Sequence, residues 1–395
     1  MTIKLYHQVG HIDKWNKDSL FEDGVGDGLI LSPVHQGRST IEKMPSEIKK
    51  KSFFDPQFYL PSSQKKKLRQ YDFFPDVISN GFNTLDFGSR TADCAKMCVD
   101  FQIEQDFDRI VIPARYFDQM DPQFIEKQDA FSVTPFLQVI TAKKIEKHIF
   151  LTLPLTSHMV SNEVFRKRIL NWVTSHPEIA GVYLIVDHQR KKKQIEEKDF
   201  LVSYLSFCKE LANAELDLVI GYQNTESILF TLVGDQTITM GSFENTRMFS
   251  LDKFVESDEE RRGPRARIYL PGLLNWVQIR QAKQIRDEFP ELWGKIYNPT
   301  PFGDAALANP KEPTFNQPDL YRHYFINFSN QVRELSGLSL EERAVKIRHG
   351  IKDAKDAYQE LEEGFFDFEA HGNGDHLQPW SDALGTYYRS YIKNP

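Results

Sequence analysis

The sequence predicts a (β/α)8 barrel with a C-terminal helical extension. Three observations carry that reading. Short aliphatic runs recur along the chain, and segments of helical periodicity separate nearly all of them, as expected for buried parallel strands joined by helical crossovers. Eight such runs spread over about 260 residues match a (β/α)8 barrel in count and length. Five of the runs end in proline, at Pro33, Pro61, Pro113, Pro154 and Pro271. Proline donates nothing to a ladder, so it suits the point where a chain leaves a sheet. The rival is a doubly wound open sheet. It would need a G-x-G-x-x-G turn after an early strand to hold a dinucleotide, and the sequence has none.

Residues 1–26 read as an irregular lead-in, with Gly24, Gly26 and Gly28 turning into a first strand at 28–33. Residues 37–52 look helical, broken or kinked at Pro45. A second strand is expected at 56–61, followed by a polar and aromatic insertion at about 62–90. Residues 91–106 form an amphipathic pattern with Ala95, Cys98, Val99 and Ile103 on one side. The third strand is 109–115, and the helical stretch after it is interrupted at Pro135. The fourth is 148–156, with a helix carrying Val164, Ile169, Trp172 and Val173 behind it. The fifth is 181–188, and helix 199–215 follows with Leu201, Leu205, Cys208 and Leu211 on one face. Strand, short helix and strand recur between 216 and 249, with strands at 218–223 and 237–242. Residues 250–265 read as a solvated excursion, 266–271 as the eighth strand and 273–289 as its helix.

The barrel is therefore assigned to residues 1–300 and a helical appendage to 301–395. In the appendage the run YRHYFINFSNQVREL is aromatic and helical. Ser339 and Glu342 form a capping box that opens a long charged helix through Glu363. The turn HGNGD leads to a last helix with Trp380, Tyr387 and Tyr388. These helices are expected to cover a barrel end or to offer a contact for a protein partner. A barrel followed by this aromatic helix resembles the layout of tRNA-guanine transglycosylases. The Asp-Ser-Gly-Gly-Phe-Gln signature and Cys/His zinc cluster of that family are missing here, so the resemblance is one of layout.

The 395 residues carry a net charge of −7, which argues against wholesale binding to nucleic acid or acidic membranes. Local basic clusters stand at 49–51, 65–67, 190–193 and 261–267. Those loops, with Trp276, keep nucleic-acid contact as a minor reading. Three cysteines make no disulfide framework and point to a reducing cytoplasm. Cys94 and Cys98, one helical turn apart, read as a core stripe rather than a metal site. No apolar run approaches the ~20 residues of a membrane helix.

In a barrel the residues just past each strand face the active-site end. That rule collects His35, Gln36, Tyr59, Arg115, Tyr116, Ser157, His158, Asp187, His188, Tyr222, Gln223, Glu244, Arg247, Asn275 and Trp276. Asp187 ends an aliphatic strand, so its carboxylate needs a cationic partner or a raised pKa. Arg115 and Arg247 are the candidate partners. Asp187 with Glu244 makes a candidate acid/base or nucleophile/acid pair for glycosidic chemistry, which needs carboxyls roughly 5–10 Å apart. Gly241 and Ser242, with Arg247 as a guanidinium fork, suit a phosphate. No H-x-H or H-E-x-x-H pair occurs, so neither metal nor cofactor is expected. The leading expectation is an enzyme that hydrolyses or transfers a glycosidic C–N or C–O bond of a phosphorylated or nucleotide-like substrate. The alternative is an inactive barrel serving as a binding or assembly component of a phage or bacterial complex.

Overall fold

The computed structural model describes residues 2–75, 90–188, 192–256, 263–311 and 313–393. Eight parallel strands alternate with helices and close into a (β/α)8 barrel: β1 Lys4–Gln8, β2 Gly28–Leu31, β3 Ser52–Phe54, β4 Ile110–Ile112, β5 Ile149–Thr156, β6 Gly181–Asp187, β7 Asp217–Ile220 and β8 Thr237–Gly241. Their order is β3-β2-β1-β8-β7-β6-β5-β4. β3 and β4 meet across the seam, where the Asp108 N–H donates to the Ser52 carbonyl at 2.9 Å.

The count of eight holds, but its membership differs at three places. The expected lead-in is β1 followed by helix Asp13–Phe21. β1 pairs with β2 on one side and with β8 on the other. Its run KLYHQ is not aliphatic because its polar groups find partners inside the fold. Tyr183 Oη donates to Gln8 Oε1 at 2.9 Å, and the His7 ring meets the Val25 carbonyl at 2.9 Å. The second correction concerns 56–61, which is a loop. The strand lies just before it at Ser52–Phe54, and Gln57 turns the chain with a φ of 58°. Third, 266–271 does not join the barrel. Residues Arg267–Leu270 (β9) pair antiparallel with Asn275–Gln278 (β10) in a separate hairpin, turned through Leu274 at a φ of 51°.

Pro154 lies within β5 rather than at its end, past the three residues that pair with β4. Pro45 divides helices Arg38–Glu42 and Ser46–Lys50. Ile103 of helix Thr91–Glu104 and Val164 of helix Glu163–Thr174 are exposed, unlike their expected neighbours in the core. About half of the expected 62–90 insertion, residues 76–89, lies outside the described residues.

Contacts between non-neighbouring strands fill the barrel. Tyr6 of β1 meets Phe53 of β3 at 6.2 Å, and Phe53 meets Tyr183 of β6 edge-on at 5.1 Å. At the end where the strands begin, the Arg109 guanidinium lies 4.5 Å from the Phe150 ring centre. A Cβ on Gly221 would come within 2.5 Å of the Tyr183 ring, so only glycine lets β7 pass that ring.

The C-terminal helices pack onto the outside of this barrel. Helix Pro318–Arg333 sets Phe325 edge-on against His7 of β1 at 4.7 Å. Helix Leu340–Glu363 opens with the expected capping box, with both the Ser339 and Glu342 halves made. Helix Leu377–Tyr391 buries Trp380 completely, and its indole N–H donates to the Ile195 carbonyl at 2.8 Å. One continuous hydrophobic core joins barrel and helices. No helix among the described residues is long and apolar enough to cross a membrane.

Candidate functional site

The ends of β3, β4, β6 and β7 bring one group together at the barrel mouth. Asp187, the last residue of β6, is 6% exposed and accepts a hydrogen bond from Tyr116 Oη at 3.0 Å. Asp55, the first residue past β3, is fully buried. Tyr59 Oη donates to it at 2.8 Å and the Gln57 N–H at 3.1 Å. Gln57 also donates to Tyr222 Oη at 3.3 Å, and Tyr222 holds a left-handed φ of 55° that turns its ring toward this group.

Lys253 reaches in from the segment after β8. Its Nζ stands 3.7 Å from the Tyr222 ring centre and donates to the Asn245 carbonyl at 3.1 Å. Phe249 packs edge-on against Tyr59 at 5.2 Å and Tyr222 at 5.4 Å, so aromatic rings cover the mouth. Ser63 Oγ ties this cover down at the Phe254 carbonyl, 2.6 Å away.

Burial sets the protonation of these groups. It pushes the Asp55 carboxyl up, and the Tyr59 and Gln57 hydrogen bonds and Lys253 pull it back only to about 7. Burial pushes the Lys253 ammonium down, and the charges of Asp55 and Asp187 recover it only to about 7. His35, nearly enclosed, is driven to about 3 by burial, with Lys253, His11 and Lys67 acting in the same direction. Its Nε2 is buried without a hydrogen-bond partner among the described residues.

Glu244 and Arg247 stand in a cleft beside the mouth. The Arg247 guanidinium lies 4.0 Å from the Trp276 ring centre. A cavity of about 410 Å³ is lined here by Arg247, Arg265, Arg267, Phe243, Trp276, Phe315 and Tyr321, and also by Glu244 and Asn245. A second hollow of about 180 Å³ shares Glu244 and Arg247 and adds Lys192, Lys193, Asn224 and His371. Glu244 is ion-paired with Lys193. Burial raises the Glu244 carboxyl, but Lys193, Arg247 and Arg267 outweigh it and hold the group below the usual range.

The other expected residues spread around the rim. Arg115 points to the helix layer. Its guanidinium is 5.3 Å from the Phe131 ring centre, and burial pushes it down to about 9. Gln223 donates to Tyr204 Oη at 3.1 Å and holds a helix. His188 stacks on Phe200 at 4.1 Å and bonds Glu197 at 2.7 Å. His158 is exposed and meets Phe165. Gly241 is packed against Thr246, and Ser242 is buried with its hydroxyl unpaired among the described residues. Parts of two basic runs, residues 190–191 and 261–262, lie outside the described residues. Among those described, no cluster of three or more His, Cys, Asp or Glu has the arrangement of a metal site.

Sequence reasoning missed Asp55 and Lys253. Asp55 had a visible signal, since SFFD ends in an acid just as GVYLIVD does. Lys253 had none, because it sits in a one-turn 3-10 helix, Leu251–Phe254, within a stretch that reads as a charged excursion. No protein-family model matches the chain, and no curated protein matches it.

Proposed function

We propose that this barrel binds a phosphorylated, nucleotide-like substrate and hydrolyses or transfers a glycosidic C–N or C–O bond within it. The observation that supports this reading is the cleft of three arginines, one of them (Arg267) ion-paired with Glu369, and four aromatic rings beside the strand ends. Guanidinium groups fork onto phosphate oxygens, and aromatic faces take a planar base. In this reading Asp187 is the nucleophile or base. Glu244, held ionised by Lys193, steadies positive charge that develops on the sugar. The proton for the leaving group comes from Asp55, the carboxyl whose burial keeps it protonated near neutrality.

The test has two parts. Calorimetric titration with nucleoside monophosphates should show binding that inorganic phosphate does not match. Arg265→Glu, at an exposed position of the cleft, should weaken it by about tenfold, or about 1.4 kcal/mol. Chromatography should then detect release of base or sugar, lost in Asp187→Asn. Nucleotide affinity no better than that of phosphate and unmoved by Arg265→Glu would overturn the proposal. A second reading has its own support in the rings of Phe249 and Phe254 over the mouth. A barrel so covered fits a binding or assembly component, and it predicts nucleotide binding with no product under any condition.

A further inference from the structure

We infer that Lys253 is an imine-forming amine that captures the open-chain aldehyde of a sugar phosphate. The inference borrows the anion cleft proposed above for the phosphate, but it does not depend on which bond the barrel breaks.

The geometry is that of an amine led out of solvent toward acids. Most lysines on a short surface turn of helix, such as the 3-10 turn Leu251–Phe254, extend into water. Lys253 instead folds back over the mouth, with Nζ against the Tyr222 face. Phe249 and Phe254 stand nearby, their ring centres 5.2 and 5.9 Å from Nζ. Its direct hydrogen bond goes to a neutral carbonyl, that of Asn245. The carboxyls that act on it, Asp55 and Asp187, come from β3 and β6, strands that are not neighbours in the ring. His35 feels the Lys253 charge, the Tyr222 ring faces it, and Tyr59 and Tyr116 hydrogen-bond the two carboxyls. Asn245 also lines the arginine cleft, so the amine and the cleft meet at one residue. Lys253 is half-buried rather than enclosed.

The chemistry balances without any further reagent. The neutral Nζ lone pair forms an N–C bond to the aldehyde carbon, and the C=O electron pair moves to oxygen. That oxygen takes the proton released by nitrogen, giving a carbinolamine. A buried carboxyl, Asp55, then protonates the hydroxyl, which leaves as water while the nitrogen lone pair forms C=N. Loss of the remaining N–H proton returns Asp55 to its acid form. Hydrolysis reverses the sequence.

The test uses ribose 5-phosphate with cyanoborohydride, which reduces an imine to a stable secondary amine. The intact chain should gain the mass of the sugar phosphate less one oxygen, and peptide mapping should place that mass at Lys253. Lys253→Met should remove the adduct, and Lys253→Arg likewise. Ribose without phosphate should label at least tenfold more slowly, on the order of one lost ionic contact. Labelling spread evenly over surface lysines, or retained in Lys253→Met, would overturn the inference. The unmodified protein supplies the site map by itself, so a variant that fails to fold leaves the test intact. Nucleotide titration of Lys253→Met separates the two proposals. Retained binding without the adduct in the parent protein sinks the lysine role alone. An adduct at Lys253 without nucleotide binding sinks the nucleotide reading alone.

Discussion

Replacing Asp55 by asparagine should remove a contribution that costs the folded protein stability as pH rises toward neutrality. Asp55 is fully enclosed, and its carboxyl is raised from an ordinary 3.8 to about 7. A raised carboxyl keeps its proton in the folded state while the unfolded chain has already lost it. The native state therefore binds more protons between those two values, and stability falls as pH rises through that window. The lost stability is on the order of 4 kcal/mol between about pH 4 and about pH 7, taking roughly 1.4 kcal/mol for each pH unit between the two pKa values. Lys253 does not confuse this range, because its ammonium, pushed down to about 7, begins to lose its proton only at the upper edge. The two bonds fall on different oxygens of Asp55, so asparagine keeps the Gln57 N–H on its Oδ1 while its amide N–H donates to Tyr59 Oη, which turns its own hydrogen away. Urea unfolding of both proteins across this range is the assay. Buried His7, His35, His323 and His376, all held below the usual imidazole range, gain stability with rising pH in both proteins, so the readout is the difference: the parent's stability relative to the variant's should fall by about that amount from about pH 4 to about pH 7. Superimposable pH profiles would refute the placement of a protonated carboxyl at the mouth.

Other expectations follow from the same geometry. Glu244→Gln removes the negative charge shared by the two hollows, and nucleoside monophosphate affinity measured by calorimetry should rise about tenfold, or about 1.4 kcal/mol. Weaker binding would contradict an anion cleft. Trp380→Ala should cost about 3–5 kcal/mol in chemical denaturation, because it empties a fully buried site and strips the Ile195 carbonyl of its donor. Limited proteolysis should then cut near helix Leu377–Tyr391 first. Ser339→Ala should lower stability by about 1 kcal/mol by opening the capping box, with no effect on ligand binding.

The barrel was legible because most of its strands are buried on both faces and therefore spell aliphatic runs. GVYLIVD and IFLTLPLT are examples. β1 escaped because a strand may carry His and Gln wherever the interior supplies partners, as Tyr183 and Val25 do. β3 escaped because three residues are too few to show a period, and the more prominent FYLP just after it drew the assignment. The hairpin β9–β10 contributed a false eighth strand, since ARIYLP looks the same whether its neighbour runs parallel or antiparallel. At the site, Asp187 and Tyr222 could be read from position alone because each lies at or just past the end of a strand. The pairing of Glu244 with Lys193 and the arrival of Lys253 over Tyr222 depend on how loops fold back. No local pattern in sequence encodes that.

The partnership of β1 with β8 bears on how the chain is made. Lys4 finds its register opposite Thr237, so one flank of the first strand has no mate until most of the polypeptide has left the ribosome. Through that interval the nascent protein displays a bare edge of Leu5, Tyr6 and His7, the kind of surface that recruits chaperones or sticks to sister chains. Ring closure is thus a late event of synthesis, and slow codons or truncations before Gly241 would be felt first as aggregation.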